Sequence, residues 1–220
     1  MLFIYFKAPF GAFKPFQSVE MLATVEFMTY SAAYGFLLGL AGINSRDPLV
    51  KSAYINTRIA LGTFNLPRKG RVLQQLHKGK ASSEDTERAK GRKPKIDIFW
   101  KELLYDGLEG YIGLDNPELE PLITQGINNP QSINYWGLPF MGDNNFFVEK
   151  LDIVQEVKEC QWFSLLKSST SPQNQRLYYL SVWTDYQNST NSKSLLFRLV
   201  PFTEANLLNR NSDIWVPISP

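Results

Sequence analysis

Any acid–base chemistry that needs an imidazole must run through His77, the only histidine among 220 residues, just as thiol chemistry must run through Cys160. His77 sits beside Lys78. With a tyrosine delivered by the fold, a base and a cation in this order can cleave RNA without a metal: the base activates a 2′-hydroxyl and the cation steadies the phosphorane. The same two residues also read as ordinary polar positions in a basic stretch. One Cys and one His are too few for a Cys/His zinc site. The single thiol excludes an intrachain disulfide and fits a reducing compartment. A two-metal nuclease needs clustered carboxylates. The acids here are scattered: Glu102 near Asp106 and Asp143 near Glu149 have no visible third partner and read as surface charges. There is no Walker loop. Gly35, Gly39 and Gly42 imitate a dinucleotide fingerprint but fall inside a helical stretch instead of the turn before one. No cofactor and no metal are expected.

The charge distribution is more informative. Between Pro67 and Lys95 ten Lys and Arg stand against Glu84, Asp85 and Glu87, which is +7 over 29 residues; the chain total is +2, so the remainder carries −5. Such segregation suits a phosphate backbone, whose counterions Lys and Arg displace. Arg68, Lys69, Arg71 and Lys78 in this island, and Arg58 just before it, are the binding residues that charge picks out. The alternative is a solvated loop. A second mixture of aromatics and cations, Phe6-Lys7-Ala8-Pro9-Phe10 to Phe13-Lys14-Pro15, adds Lys7 and offers rings that can stack on unpaired bases.

These residues need a scaffold. With 44% apolar and 20% charged residues the chain is ordinary globular chemistry. Leu2–Lys7 reads as a strand buried on both faces. Tyr30–Ile43 reads as a helix capped by Thr29 or Ser31, its small residues allowing close approach to a sheet. Tyr54–Phe64 is the next strand. The flanks Arg71–Leu76 and Lys95–Trp100 of the basic segment look like a long hairpin with a polar, Gly-bounded tip. Leu103–Leu114 returns to strand character, and Pro117–Gln125 to helix with Asn116 as its cap. Phe146–Val157 is a strand. Arg176–Trp183 and Ser194–Val200 form a hairpin, and the tail after Pro201 is irregular. The order β-α-β-hairpin-β-α-β gives an α+β class with a ferredoxin-like, RRM-like antiparallel sheet. The opening apolar run is too short for a signal-peptide core, and Ala32–Ile43 too short to span a bilayer. A cytoplasmic protein with no membrane contact is expected.

Phe6-Lys7-Ala8-Pro9 with Phe13-Lys14-Pro15, followed by Thr29-Tyr30-Ser31-Ala32-Ala33-Tyr34-Gly35 and the small-residue helix, resembles the opening of the fifth Cas protein family, RAMP proteins of type I CRISPR systems. Phe99-Trp100-Lys101-Glu102-Leu103-Leu104-Tyr105-Asp106 is similar to that family's strand after its thumb hairpin, and Gly137–Asn144 to its later Gly-rich turn. The transposon-associated variety is the nearer likeness. The resemblance implies a single RAMP domain over 1–220, with a thumb inserted at about 67–100 and an extra hairpin at about 175–200. It implies a non-catalytic subunit that caps a Cascade surveillance complex and anchors the 5′ handle of the CRISPR RNA. The implied neighbours are the backbone subunit, the large subunit and target DNA near the PAM, with no homo-oligomer. By matching position Lys14, Ser31, Tyr34 and Gly35 would lie near the handle. One branch of the family cleaves its RNA with Tyr, Lys and His. Only His77-Lys78 could echo that here, so no cleavage is expected. A metal-independent endoribonuclease and a protein-interaction module remain the alternatives.

Overall fold

The opening hexapeptide forms β1 (Leu2–Lys7), and its alternation sets the two faces of the main sheet: Ile4 and Phe6 are fully buried, while Phe3 and Tyr5 are half-buried on the other side. The computed structural model describes residues 1–15, 22–45, 47, 53–54, 56–77, 96–134, 138–167, 175–185 and 192–219. Within these, β1 is followed by the short β2 (Phe10–Gly11), helix α1 (Tyr30–Leu40) and β3 (Arg58–Thr63). The long β4 (Arg68–His77) and β5 (Ile96–Tyr105) come next, then β6 (Glu109–Asp115) and helix α2 (Leu119–Asn128). The chain continues through β7 (Lys150–Val154), β8 (Gln161–Leu165), β9 (Leu177–Trp183), β10 (Lys193–Pro201), the short α3 (Phe202–Ala205) and β11 (Val216–Pro217). The class is α+β.

Among the described residues the main sheet runs β7-β1-β6-β3-β8-β10-β9, with β11 alongside β3 and every pairing antiparallel. α1 connects β1 to β3 and α2 connects β6 to β7, so each helix bridges two strands that hold a third between them. One face buries Ile4, Phe6, Ile59, Leu61, Ile112 and Leu114 against Tyr34, Leu37 and Leu38 of α1 and Ile123 of α2. The opposite face buries Ala60, Tyr111 and Trp162 under Ile214 and Trp215. Each large apolar side chain so buried contributes about 1.5–3 kcal/mol.

Thr29, not Ser31, caps α1: its Oγ1 accepts the Ala32 N–H. The helix ends in a Schellman turn, with Gly42 at φ +74°, the Ile43 N–H on the Leu38 carbonyl and the Gly42 N–H on that of Gly39. Gly35 and Gly39 do not provide the close approach of α1 to a sheet that was expected of them. A Cβ at Gly39 would meet nothing within 4 Å, and one at Gly35 only Ser45 Oγ at 3.9 Å. The close approach is elsewhere: a Cβ at Gly126 of α2 would collide with the Leu40 carbonyl of α1. Asn116 is the cap expected for α2, its Oδ1 accepting the N–H groups of Glu118 and Leu119.

Four further readings change. Leu103–Leu114 is two strands in two sheets, split by a turn at Asp106 and Gly107, both at positive φ. Residues 146–157 are strand only over Lys150–Val154. β8, unrecognised in the sequence, lies between β3 and β10 and buries Trp162 and Phe163 completely. The tail is not irregular throughout: it supplies α3, β11 and the buried Ile214, Trp215, Val216 and Ile218. No helix among the described residues is long and apolar enough to cross a membrane.

Candidate nucleic-acid interface

The basic flank and its partner do pair. β4 and β5 form an antiparallel hairpin in register from Arg68 opposite Tyr105 to His77 opposite Ile96. With β2, which pairs through Phe10 and Gly11 to Tyr105 and Leu104, they make a separate three-stranded sheet in the order β2-β5-β4. The second sheet leaves the first at the Asp106–Gly107 turn.

The foot of the hairpin is organised by a carboxylate. Glu102 on β5 is buried, yet its oxygens meet Lys69 Nζ at 3.5 Å, Arg71 Nε at 3.4 Å and the Thr24 N–H at 3.2 Å. Lys69 Nζ also donates to the Thr24 carbonyl at 2.6 Å, and the Glu102 N–H to the Leu22 carbonyl at 2.8 Å. Burial by itself would raise the Glu102 carboxyl. The Thr24 N–H bond and the charges of Lys69 and Arg71 outweigh it and hold the group below its ordinary range. Thr24 ties this foot to the segment after β2, because its Oγ1 accepts the Phe13 N–H and the Val25 N–H reaches the Phe13 carbonyl.

The neighbouring residue does the converse on the other face. Lys101 is buried, forms an ion pair with Asp143 at 2.5 Å and lies 5.0 Å from the centre of the Phe146 ring. Burial pushes the Asp143 carboxyl up, but the Lys101 ammonium and the Asn145 N–H bring it below its ordinary range. Glu102 and Asp143, read from the sequence as surface charges, are therefore internal ion-pair centres. Among the described residues no group of His, Cys, Asp and Glu could hold a metal.

The residues singled out by sequence distribute unevenly. Arg68, Lys69 and Arg71 gather at the hairpin foot. Arg68 is exposed and 3.4 Å from the equally exposed Asp106, whereas Lys69 is occupied with Thr24 and Glu102. Lys14 is exposed, one residue past the Phe13–Thr24 contact, and so belongs to the same region. Lys7 ends β1 opposite Glu109, at the end of the sheet from which the hairpin departs, with Glu149 4.0 Å away. Ser31 is half-buried in the first turn of α1, and Gly35 half-buried one turn on. Tyr34 is corrected: its ring is wholly buried near Trp183, and its phenol is pushed upward by that burial and by Tyr54, so this side chain is core and not a surface contact. Arg58 stands at the far end of β3 from the hairpin and donates to the Arg210 carbonyl at 2.6 Å, fastening the C-terminal segment. Lys78 lies outside the described residues. His77 ends β4. Tyr30 and Tyr111 are buried with phenols shifted upward by desolvation, as Tyr34 is.

Sequence reasoning missed Thr24, Glu102, Lys101 and Asp143 as determinants of the hairpin's attitude, and it missed the exposed apolar side chains Val72, Leu73, Ile98 and Trp100 that the hairpin carries. The apolar pair Val72-Leu73 and the apolar run Ile98-Phe99-Trp100, set in an otherwise polar segment, were the available signal for the latter.

No family model and no curated protein matches the sequence. Solved structures do share the fold. A chain from a structure described as a CRISPR RNA-guided surveillance complex superposes with a TM-score of 0.61 at 11% identity, over 91% of this chain and 89% of its own. A structure described as a Cas protein gives 0.52 at 12% identity, over 100% of this chain and 98% of its own.

Proposed function

We propose that this chain is a non-catalytic, RNA-binding subunit of a type I CRISPR surveillance complex, where it caps the assembly and anchors the 5′ handle of the guide RNA. The observation that carries this reading is the fold shared along nearly the full chain with a component of an RNA-guided surveillance complex. The segregated +7 segment supports an RNA contact. In this reading the strand order β7-β1-β6-β3, with α1 and α2 as its crossovers, is the ferredoxin-like core of a single RAMP domain. The β4–β5 hairpin is its thumb, and β9–β10 the additional C-terminal hairpin. Backbone and large subunits are its protein neighbours, target DNA near the PAM lies within its surroundings, and its compartment is the cytoplasm.

The exposure of Arg68, Arg71 and Lys14 makes them the groups that meet phosphate. Lys7, Ser31 and Gly35 are read as further contacts to the handle. Lys69 acts from behind, since its ammonium holds the Thr24 carbonyl. The test is binding of the purified protein, alone and in its complex, to handle RNA and to a scrambled RNA of equal length. A preference for the handle is expected. Arg68→Glu and Arg71→Glu should weaken binding and lower the salt slope, by about 1 for each phosphate that is no longer neutralised. Equal affinity for both RNAs would remove handle recognition. Incubation with precursor repeat RNA in chelator should leave it intact. Specific cleavage abolished by His77→Ala would make the chain a nuclease instead.

A further inference from the structure

The register of the β4–β5 hairpin sets Arg71 opposite Glu102, Leu73 opposite Trp100 and Gln75 opposite Ile98. Opposed residues of an antiparallel pair share a face, as do alternate residues along each strand. Near the foot, the segment carrying Leu22 and Thr24 bonds to Glu102. Further out, Leu73, Trp100 and Ile98 are 53%, 55% and 59% exposed. An indole and two large aliphatic side chains kept together in water mark a contact surface.

Arg71 stands where the closed part of this face meets the open part. Its Nε is turned to the buried Glu102 carboxylate at 3.4 Å, while the side chain as a whole remains 63% exposed. The carboxylate anchors the guanidinium through Nε, and its terminal Nη groups have no partner among the described residues. Arg71 is the diagonal neighbour of Trp100 across the strand pair, a spacing of roughly 7–8 Å. A nucleotide covers about that span between its phosphate and the face of its base. The sequence from Pro67 to Tyr105 carries eleven Lys and Arg against five Asp and Glu, an excess of cations that suits a polyanionic partner for this segment.

We propose that the Leu73–Trp100–Ile98 face of the hairpin is a stacking platform for an unpaired segment of RNA, with a base on the Trp100 indole and its phosphate on Arg71, which Glu102 positions. This rests on the RNA-binding reading above and adds where the bases go. Charge complementarity favours RNA over an apolar protein surface, because a protein partner covering Trp100 would also have to bury a half-neutralised guanidinium.

The test uses the full chain and a fluorescein-labelled single-stranded RNA, the same RNA with abasic positions, and the matching DNA strand. Trp100→Phe keeps an aromatic face and should bind the RNA nearly as wild type. Trp100→Leu keeps apolar bulk without a π-system and should bind roughly ten-fold more weakly. That loss should vanish on the abasic RNA, which retains its phosphates. Arg71→Ala should reduce the salt slope by about 1. Glu102→Gln should weaken binding with the slope unchanged, and should add no further loss to Arg71→Ala, which a merely structural role would not reproduce. Wild-type affinity in Trp100→Leu overturns the platform, even where the chain still binds handle RNA. Loss of subunit association in Trp100→Leu with RNA affinity intact makes the face a protein contact and also overturns it. Tighter binding to the DNA strand overturns the assignment to RNA. Equal affinity for handle and scrambled RNA, with the Trp100 effect retained, removes handle recognition while the platform stands.

Discussion

Lys101 and Glu102 are adjacent on β5, yet their side chains leave by opposite faces and each ends in an internal ion pair, Lys101 with Asp143 and Glu102 with Lys69 and Arg71. Two consecutive charged residues so buried are uncommon, since charged side chains are almost never buried unless paired. Their partners sit on different segments, 138–147 on one side and 22–25 with β4 on the other. The hairpin is thus gripped from both faces at its foot.

Removing one partner should reveal that grip. Lys101→Met leaves Asp143 without its cation in a partly closed site and should destabilise the protein by about 3 kcal/mol. Lys101→Met combined with Asp143→Leu should recover most of that stability, because two apolar residues need no compensation. Urea unfolding of the two variants checks both. A double variant no more stable than the single one would show that packing around Phe146, and not the charge pair, holds this face.

Acid should loosen the same foot. Glu102 and Asp143 both have folded-state carboxyls below their ordinary values. A depressed carboxyl contributes stability that is complete above its unfolded pKa of about 4 and is lost as pH falls through the lower folded value. Stability should therefore be flat above about pH 5 and fall below about pH 4, with the Glu102→Gln variant showing a shallower fall. Chemical unfolding between pH 3 and pH 7 checks it.

Two glycines should respond in opposite directions to the same substitution. Gly39→Ala fills open space in a helix and should stabilise by about 0.8 kcal/mol. Gly126→Ala drives a methyl into the Leu40 carbonyl and should destabilise by about 2 kcal/mol, since two helix backbones must separate. Thermal unfolding of the pair separates them by sign.

What the sequence made legible was local. β1, β3, the paired flanks β4 and β5 of the basic segment, the β9–β10 hairpin and the Asn116 cap all announce themselves through apolar runs or cap chemistry within a few residues. Glu102 and Asp143 did not, because their partners are remote: Lys69 lies 33 positions from Glu102 and Lys101 lies 42 from Asp143. A carboxylate bound for burial looks like any other until the fold closes. Tyr34 failed for the related reason that an aromatic beside a glycine in a helix has the same spelling whether it faces a ligand or the core. β8 is short, and its partners β3 and β10 lie far away on either side of it, so nothing local marks it. Of the candidate interface, the sequence disclosed the cations but neither the acid that aims them nor the indole beside them.

The foot of the hairpin also has a mechanical consequence. From Arg71 to the end of β4 at His77 is about 20 Å of strand. A tilt of about 5° at the fulcrum would carry the outer end by about 2 Å over that length. Because Glu102 and Lys69 grip Thr24, and Thr24 lies five residues before the Thr29 cap of α1, a sideways load on this lever is delivered to the start of the helix. A load on the outer strand is therefore borne by the same short segment that leads into the first turn of α1.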